Sequence, residues 1–554
     1  MKDVTTIARH RTAMTRSFLS RPLQQAYEDG LLENSVSVFD YGCGYGDDIR
    51  TLGALGIEAS GWDPAHRPDG ELTEADIVNL GYVVNVIEDP DERVAALRRS
   101  WSLAQSVLVV SARLVWDPDS AIGKPYRDGR VTNNGTFQKF YTPEELKAWI
   151  ERSLQRTAVT AAPGIYYVFR DDRATQKLLA RHSRNLARPR QGVAELLYEQ
   201  SVQLLGPLEE YVRERRCLAN PTDLPNGAEV VESFGSIRAA FSVIRRATGT
   251  ENWIDVDLGS RKRSEHRFEE HLEDLQPLID FVTERGRLPR QGELQNEATL
   301  NDQFGSIRAA FSLVRRVTGA SRWMELEREA KENFLVYVAL AAFGGRPAFK
   351  QLPEDLQFDA KDLCGSYKAG CEAADHLLYS IADVPSLDSA CIEAPFGKLT
   401  PEALYVHTSA LSELPPILRV YLGAAQTITG NVDDATIVKL HRQKPQVSFL
   451  IYPTFDKDPH PPLHGSLVAR LPELRITYKD FSNSENPPIL HRKETFVPDT
   501  YPGREKFSRI TRQEERAGLL DAHGIGRRNE WEVLLDNYGY KLRGHRLVRA
   551  APRR

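Results

Sequence analysis

Long hydrophobic runs are missing from this 554-residue chain. No stretch of about 18 uncharged apolar residues occurs, which excludes a membrane-spanning helix; the run around Phe334 to Phe343 is too short. Cysteine is scarce. Cys43, Cys217, Cys364, Cys371 and Cys391 are odd in number, and no pair has metal-knuckle spacing. A disulfide scaffold is therefore not expected, and a cytoplasmic location is. An excess of positive charge is also missing. The 72 Lys and Arg residues face 77 Asp and Glu, a formal charge of −5. That disfavours uniform coating of nucleic acid and leaves local basic faces open. Arg9, Arg11, Arg16 and Arg21 come without an apolar signal core. The acids Asp3, Glu28 and Asp29 argue against an Arg-rich transit peptide and for a basic helical extension over residues 1–34.

The remainder is ordinary for a soluble globular chain, with 41% hydrophobic and 27% charged residues. Its length predicts three or four domains. The first third alternates apolar runs with amphipathic segments. Strands are expected at 35–40, 57–63, 76–80, 106–112 and 165–169, and helices at 48–55, 92–101 and 142–153. Thr142-Pro143-Glu144-Glu145 is a helix start, with an N-cap, a proline in the first turn and acids at the positive dipole end. This alternation predicts an α/β domain over 35–172, a parallel sheet with helices on both faces.

Between the first expected strand and helix lies Asp40-Tyr41-Gly42-Cys43-Gly44-Tyr45-Gly46-Asp47-Asp48. Gly42, Gly44 and Gly46 let a backbone approach a ligand without Cβ clashes. Asp63 follows the next strand, where a carboxylate can accept both ribose hydroxyls of an adenosine ligand. A dinucleotide would need its pyrophosphate at the helix N-terminus. Asp40, Asp47 and Asp48 repel pyrophosphate but suit an ammonium and a sulfonium, which selects S-adenosylmethionine. The stretch Ser35–Ala112 resembles a Rossmann-type S-adenosylmethionine-dependent methyltransferase. The phrases RHRTAMTR, LSRP, FDYGCGYGDD, GWDP and NLGYVVNVIED, with PHPPLH, NPPILHRKETF and GHRLVR further on, resemble a narrower family, the methyltransferases associated with bacterial DNA phosphorothioation. That resemblance implies phosphorothioation proteins as partners and a role in restriction or its regulation. Only twelve residues separate Asp63 from Asp76, too few for the family's usual helix and third strand; Asp76 or Ile77 is the expected partial substitute at the adenine.

The methyl acceptor is less sharply marked. Cys43 lacks the preceding proline of a cytosine-C5 nucleophile. Asn79-Leu80-Gly81-Tyr82 stands where amino-methyltransferases carry Asn/Asp-Pro-Pro-aromatic. Asn79 would orient a target amine and Tyr82 would stack on an extruded base. The literal Asn486-Pro487-Pro488-Ile489 reads as a proline-rich turn.

A basic helical connector is expected over 173–204, with Arg181, Arg184, Arg188 and Arg190. Then FGSIRAAFSVIRRATG at 234–249 recurs as FGSIRAAFSLVRRVTG at 304–319, an offset of 70 residues. Leu205, Tyr211, Leu224 and Trp253 match Leu275, Phe281, Leu294 and Trp323, defining helical repeats over 205–253 and 275–323. Phe234, Ile237, Phe241 and Ile244 follow helical spacing, with Gly235-Ser236 as the cap and a short helix through Asp223-Leu224 or Glu293-Leu294 packed across. This resembles helix-turn-helix units and the small FGS repeats associated with homing endonucleases. Arg238, Arg245, Arg308 and Arg315, with Arg246 and Arg316 beside them, are the candidate DNA contacts.

Residues 330–554 predict an α+β domain of unknown function. His460-Pro461-Pro462-Leu463-His464 has the spacing of helical metal ligands, but two prolines break a helix; no metal is assigned there or at His491-Arg492-Lys493-Glu494. The reading is a methyltransferase acting on or near DNA. Its rivals are a non-catalytic S-adenosylmethionine-binding, DNA-binding adaptor and a nuclease run from the C-terminal domain.

Overall fold

The computed structural model describes residues 7–32, 35–184, 198, 201–234, 236–253, 256 and 263–550. Arg188, Arg190, Gly235 and Asp3 lie outside them, as does the side chain of Arg246. The chain forms two compact units. One comprises Met1–Leu179, Ala339–Arg346 and His376–Arg554; the other comprises Ala180–Val338 and Pro347–Asp375.

The first unit contains two six-stranded sheets. In the N-terminal one, β1 (Ser37–Tyr41), β2 (Glu58–Trp62), β3 (Ala75–Gly81) and β4 (Ala104–Ser111) are parallel. A hairpin of β5 (Val159–Ala162) and β6 (Ile165–Phe169) joins antiparallel, giving the order β2-β1-β3-β4-β6-β5. Helices α2 (Asp47–Ala54), α3 (Pro90–Leu103) and α4 (Pro143–Leu154) connect the strands. Thr142 caps α4 by accepting from the Glu145 N–H at 3.1 Å. No helix or strand separates β2 from β3. The mixed α/β sheet is thus parallel for four strands and antiparallel at one edge. Val159–Ala162 is the strand that the apolar pattern missed, because its Thr-Ala-Ala has little apolar contrast.

Residues 7–32 do not form a free extension. Helix α1 (Arg21–Glu28) packs on β3 and β4, and Leu19, Leu23, Ala26 and Leu32 enter the core with Val38, Ile77 and Val109.

The second sheet is an antiparallel meander, β7 (Lys398–Leu399) through β8 (Ala403–His407), β9 (Ile437–His441), β10 (Gln446–Ile451) and β11 (Gly465–Arg470) to β12 (Arg475–Asp480). Helix α5 (Pro416–Thr429) is buried along most of its length. It contacts β10, β11 and β12 and also β5 and α4. At its end the Asn431 N–H donates to the Ala161 carbonyl at 2.7 Å, and Thr160 donates to Thr427 O at 3.1 Å. A Cβ on Gly430 would lie 2.5 Å from the Ala162 nitrogen.

The second unit carries the repeated sequence as repeated structure. Helices Val202–Arg215, Gly227–Phe234 and Ile237–Ala247 correspond to Leu272–Arg285, Glu297–Phe304 and Ile307–Thr318. Asn226 Nδ2 donates to Leu204 O at 2.8 Å, and Asn296 Nδ2 to Asp274 O at 2.7 Å. Trp253 and Trp323 each donate to a threonine (Thr248, Thr318) and meet Phe241 and Phe311 edge-on. Asp223-Leu224 does not extend a helix. Asn220 and Asp223 close a 3-10 turn instead, because Pro225 disfavours a helical Leu224. Residues 347–375 join this unit through a buried ionic cluster. Arg287, 3% exposed, meets Asp359 and Glu293 at 2.7 Å each, and Arg285 meets Asp355 at 2.7 Å.

Removing one side of a buried ion pair leaves the other uncompensated. Asp359→Ala should destabilise this unit by about 3–5 kcal/mol in urea unfolding of the full chain. A shift within the roughly 0.5 kcal/mol typical of surface changes would contradict the account.

Candidate functional site

The C-terminal ends of β1 and β3 define the site. The chain leaves β1 for β2 on one side and returns as β3 on the other, the topological switch point where α/β sheets bind ligands. Between β1 and α2 the turn requires glycine, with φ of +85° at Gly42, +53° at Gly44 and +77° at Gly46. A Cβ on Gly42 would sit 2.4 Å from Val83 Cγ2, and one on Gly46 would sit 2.7 Å from the Arg67 guanidinium.

Carboxylates shape this turn. Asp63 accepts from the backbone N–H of Gly44 at 3.1 Å and from those of Ala65 and His66 at 2.9 Å each. Of its roughly four lone-pair sites, about one is left for a ribose hydroxyl, where the sequence suggested a pair. Asp47 and Asp48 begin α2, and each accepts from the backbone of residues 7–20: Asp47 from Arg16 at 2.7 Å and Asp48 from Ser20 at 2.6 Å. They bind the basic segment across the turn, and the second oxygen of Asp47 is paired with the Arg50 guanidinium. The same segment sets Ala13 against Gly44, ties Arg9 to Glu88 and Glu92, and gives the His10 carbonyl to His66. Sequence reasoning missed this cover; the paired signal was a run of arginines and two acids opening a helix.

Asp40 is the acid that remains. It is buried, and among the described residues its carboxylate meets Asn79 Nδ2 at 2.8 Å. Strand register makes the pair direct cross-strand neighbours. Burial first, then the Asp48 charge, pushes the Asp40 carboxyl up to about 7, opposed by the Asn79 hydrogen bond and Arg16. Asn79 Oδ1 is buried without a hydrogen-bond partner among the described residues. A buried carboxylate beside an orphaned acceptor is costly in an isolated protein, and it fits a ligand that brings donors and positive charge. Tyr82, half-buried, follows at the end of β3 with φ +58°, its N–H donating to Ser111.

The structure brings Asp40, Gly42, Gly44, Gly46, Asp63, Asn79 and Tyr82 together at one end of the sheet. It does not bring Asp76 there. Asp76 begins β3 at the opposite end, where the Ser37 N–H at 2.9 Å and hydroxyl at 2.7 Å hold its carboxyl below the usual range. A parallel strand carries its first and last residues to opposite edges, so Asp76 cannot read an adenine at the turn. Ile77 is buried in the core. Cys43 lies in the turn, with burial pushing its thiol up to about 12, which keeps it protonated.

The repeat arginines are not equivalent. Arg308 and Arg315 are exposed, whereas Arg238 and Arg245 are half-buried, and helix Ile307–Thr318 contacts the helices of the first copy. In the C-terminal region, Asn486 donates to Glu530 at 3.0 Å in a turn. His464 is exposed and does not converge with His460.

Among solved structures, the chain is similar to CalS10, an amino pentose methyltransferase from Micromonospora echinaspora involved in calicheamicin biosynthesis (15% identity, 27% of this chain, 89% of that chain, TM-score 0.21). It is also similar to the CcbJ methyltransferase from Streptomyces caelestis (14% identity, 27% and 89%, TM-score 0.21). A third likeness is to a SAM-dependent methyltransferase from Aquifex aeolicus (14% identity, 27% and 89%, TM-score 0.19). No family model and no curated protein matches the chain.

The Asp40 shift has a sign. An acid raised in the folded state contributes stability fully present below its unfolded value near 3.9 and lost as pH rises through about 7. Asp40→Asn should therefore stabilise the ligand-free protein at pH 8, by at most about 4 kcal/mol, and change little at pH 4. Equal effects at both pH values would contradict the assignment.

Proposed function

We propose that this chain is an S-adenosylmethionine-dependent methyltransferase that works on or near DNA. The carrying observation is the buried Asp40–Asn79 pair beneath a glycine turn at the switch point. Asp40 and the free Asn79 Oδ1 receive the ligand's ammonium, and the glycines admit its backbone-like tail. Asp63 accepts one ribose hydroxyl. The ligand supplies an electrophilic methyl group when bound; the chain binds it, excludes water with residues 7–20, and positions the acceptor. Tyr82 stands at the acceptor side, on a backbone conformation that costs roughly 1–2 kcal/mol and is typical of working sites. Asn79 acts here on the cofactor side, its Nδ2 holding Asp40 and its Oδ1 meeting the ammonium. The acceptor we infer is a nucleobase amine, and the candidate contacts to DNA phosphates are Arg308 and Arg315, with Arg238 and Arg245. The phosphorothioation setting rests on the sequence phrases alone.

Calorimetry should detect S-adenosylmethionine and S-adenosylhomocysteine binding in preference to NAD. From pH 5.5 to 7 the ligand's ammonium stays protonated, its ordinary value being about 7.7–8.0. Affinity should rise over that range as Asp40 ionises, approaching tenfold per pH unit at its steepest; Asp40→Asn should flatten the profile. Asn79→Ala should lower both affinity and methyl transfer. Absence of binding by the wild type, or preference for NAD, would sink the reading.

Charge reversal at Arg308 and Arg315 should lower the log–log salt slope of DNA binding by roughly 0.9 per lost phosphate contact. An unchanged slope and affinity would assign those arginines to solvent. A wild type that transfers no methyl to DNA, RNA or protein, yet needs the cofactor to bind DNA, would favour the adaptor.

A further inference from the structure

Two proline-rich segments far from the methyltransferase site pair with each other. Pro462 and Ile489 form an antiparallel bridge, the Leu463 N–H donates to Pro488 O at 2.8 Å, and the Leu490 N–H donates to Pro461 O at 3.2 Å. Continuing that register by two residues sets His460 across from His491, and their ring centroids are 4.4 Å apart. Directly opposed side chains on such a pair are close neighbours. The prolines that forbid a helical His460–His464 pair thus build a cross-strand His460–His491 pair.

A third group comes from helix Arg504–Arg516. Its buried stripe is Phe507, Ile510, Thr511 and Glu514, at helical spacing, so the last position of an inward face carries an acid. Glu514 is 1% exposed and His460 5%; Nε2 and Oε1 are 2.9 Å apart. Yet Glu514 Oε1, His460 Nδ1 and His491 Nδ1 are all buried without a hydrogen-bond partner among the described residues. The His491 Nε2–H donates to the Ile525 carbonyl at 2.5 Å, which leaves Nδ1 with its lone pair and fixes the ring, as metal-bound histidines are fixed. Trp531 closes the pocket, 4.8 Å and 4.6 Å from the two imidazoles. Lys493, the buried cation nearby, is turned to the carbonyls of Phe455 and Asp458.

We propose that His460, His491 and Glu514 bind one divalent transition-metal ion of the zinc type, which ties the two proline-rich segments to this helix. One ligand atom from each residue lies within 4.8 Å of the others. Ligands at about 2.0–2.2 Å in a tetrahedron stand roughly 3.4 Å apart, so small side-chain shifts close the site. Two imidazoles and one carboxylate are a donor set suited to zinc, cobalt or iron(II) and poorly suited to magnesium or calcium. Three protein ligands leave a fourth position for water, and the site acts as a tie because its ligands come from three separate segments.

The test uses the full chain, stripped with a strong chelator and then dialysed against zinc. The expected result is about one zinc retained per chain, a visible absorption band on loading with cobalt(II), and a lower Tm for the stripped protein. Glu514→Gln, which keeps the shape of the side chain, and His491→Ala should each weaken zinc binding at least tenfold. Should either variant fail to fold, the Tm difference between stripped and loaded wild type carries the test. Folded wild type that takes up neither metal, an unchanged Tm on stripping, or full retention of zinc by both variants would overturn the proposal.

Discussion

Main-chain N–H groups with no helix or strand to pair them decide how the first sheet ends. The glycine turn and residues 13–20 are irregular backbone, and buried irregular backbone must find acceptors. Asp63, Asp47 and Asp48 supply them, to Gly44, Ala65 and His66, to Arg16 and to Ser20. Once those carboxylates are committed, Asp40 stands buried beside Asn79 with no main-chain donor among the described residues. The electrostatic character of the site follows from this division. Carboxylates that look alike in sequence divide into groups that fasten main chain and one, Asp40, that meets a side-chain amide instead.

The strands and the turn were legible in the sequence because the two signals agreed there. Apolar runs of strand length were bounded by glycine and by a helix whose first turn is acidic, and local and tertiary preferences coincided. Residues 7–32 were not legible. Leu19, Leu23 and Ala26 are too few among arginines to mark a buried face, and the partners of Arg16 and Ser20 lie about thirty residues away. Asp76 was misplaced for a related reason. Spacing from Asp63 counts residues, while a strand fixes which edge of the sheet a residue reaches. The His460–His491 pairing was hidden altogether, since it depends on a register between segments that no local pattern specifies.

The repeats show how far sequence identity carries. Side-chain bonds recur at the same offset, down to Asn226 and Asn296 on the preceding helix and the tryptophans on their threonines. Equal cores nevertheless leave unequal surfaces. Arg308 and Arg315 are exposed where Arg238 and Arg245 are partly covered, and Arg287, which takes the place of Cys217, anchors helix Glu354–Cys364, which has no counterpart on the first copy among the described residues. Duplication followed by contact between copies breaks the symmetry that the sequence suggests.

The seal on strand β5 has a consequence for how the chain is made. Its outer edge offers unpaired backbone groups, a template for aggregation when left open, and the residues that cover it are Gly430 and Asn431. At a synthesis rate of about 5–20 residues per second, the roughly 270 residues from that strand to its cover take on the order of tens of seconds to emerge. During that interval the β5 edge of the N-terminal sheet stays uncovered. Nascent chains halted before residue 430 would be the species a chaperone meets.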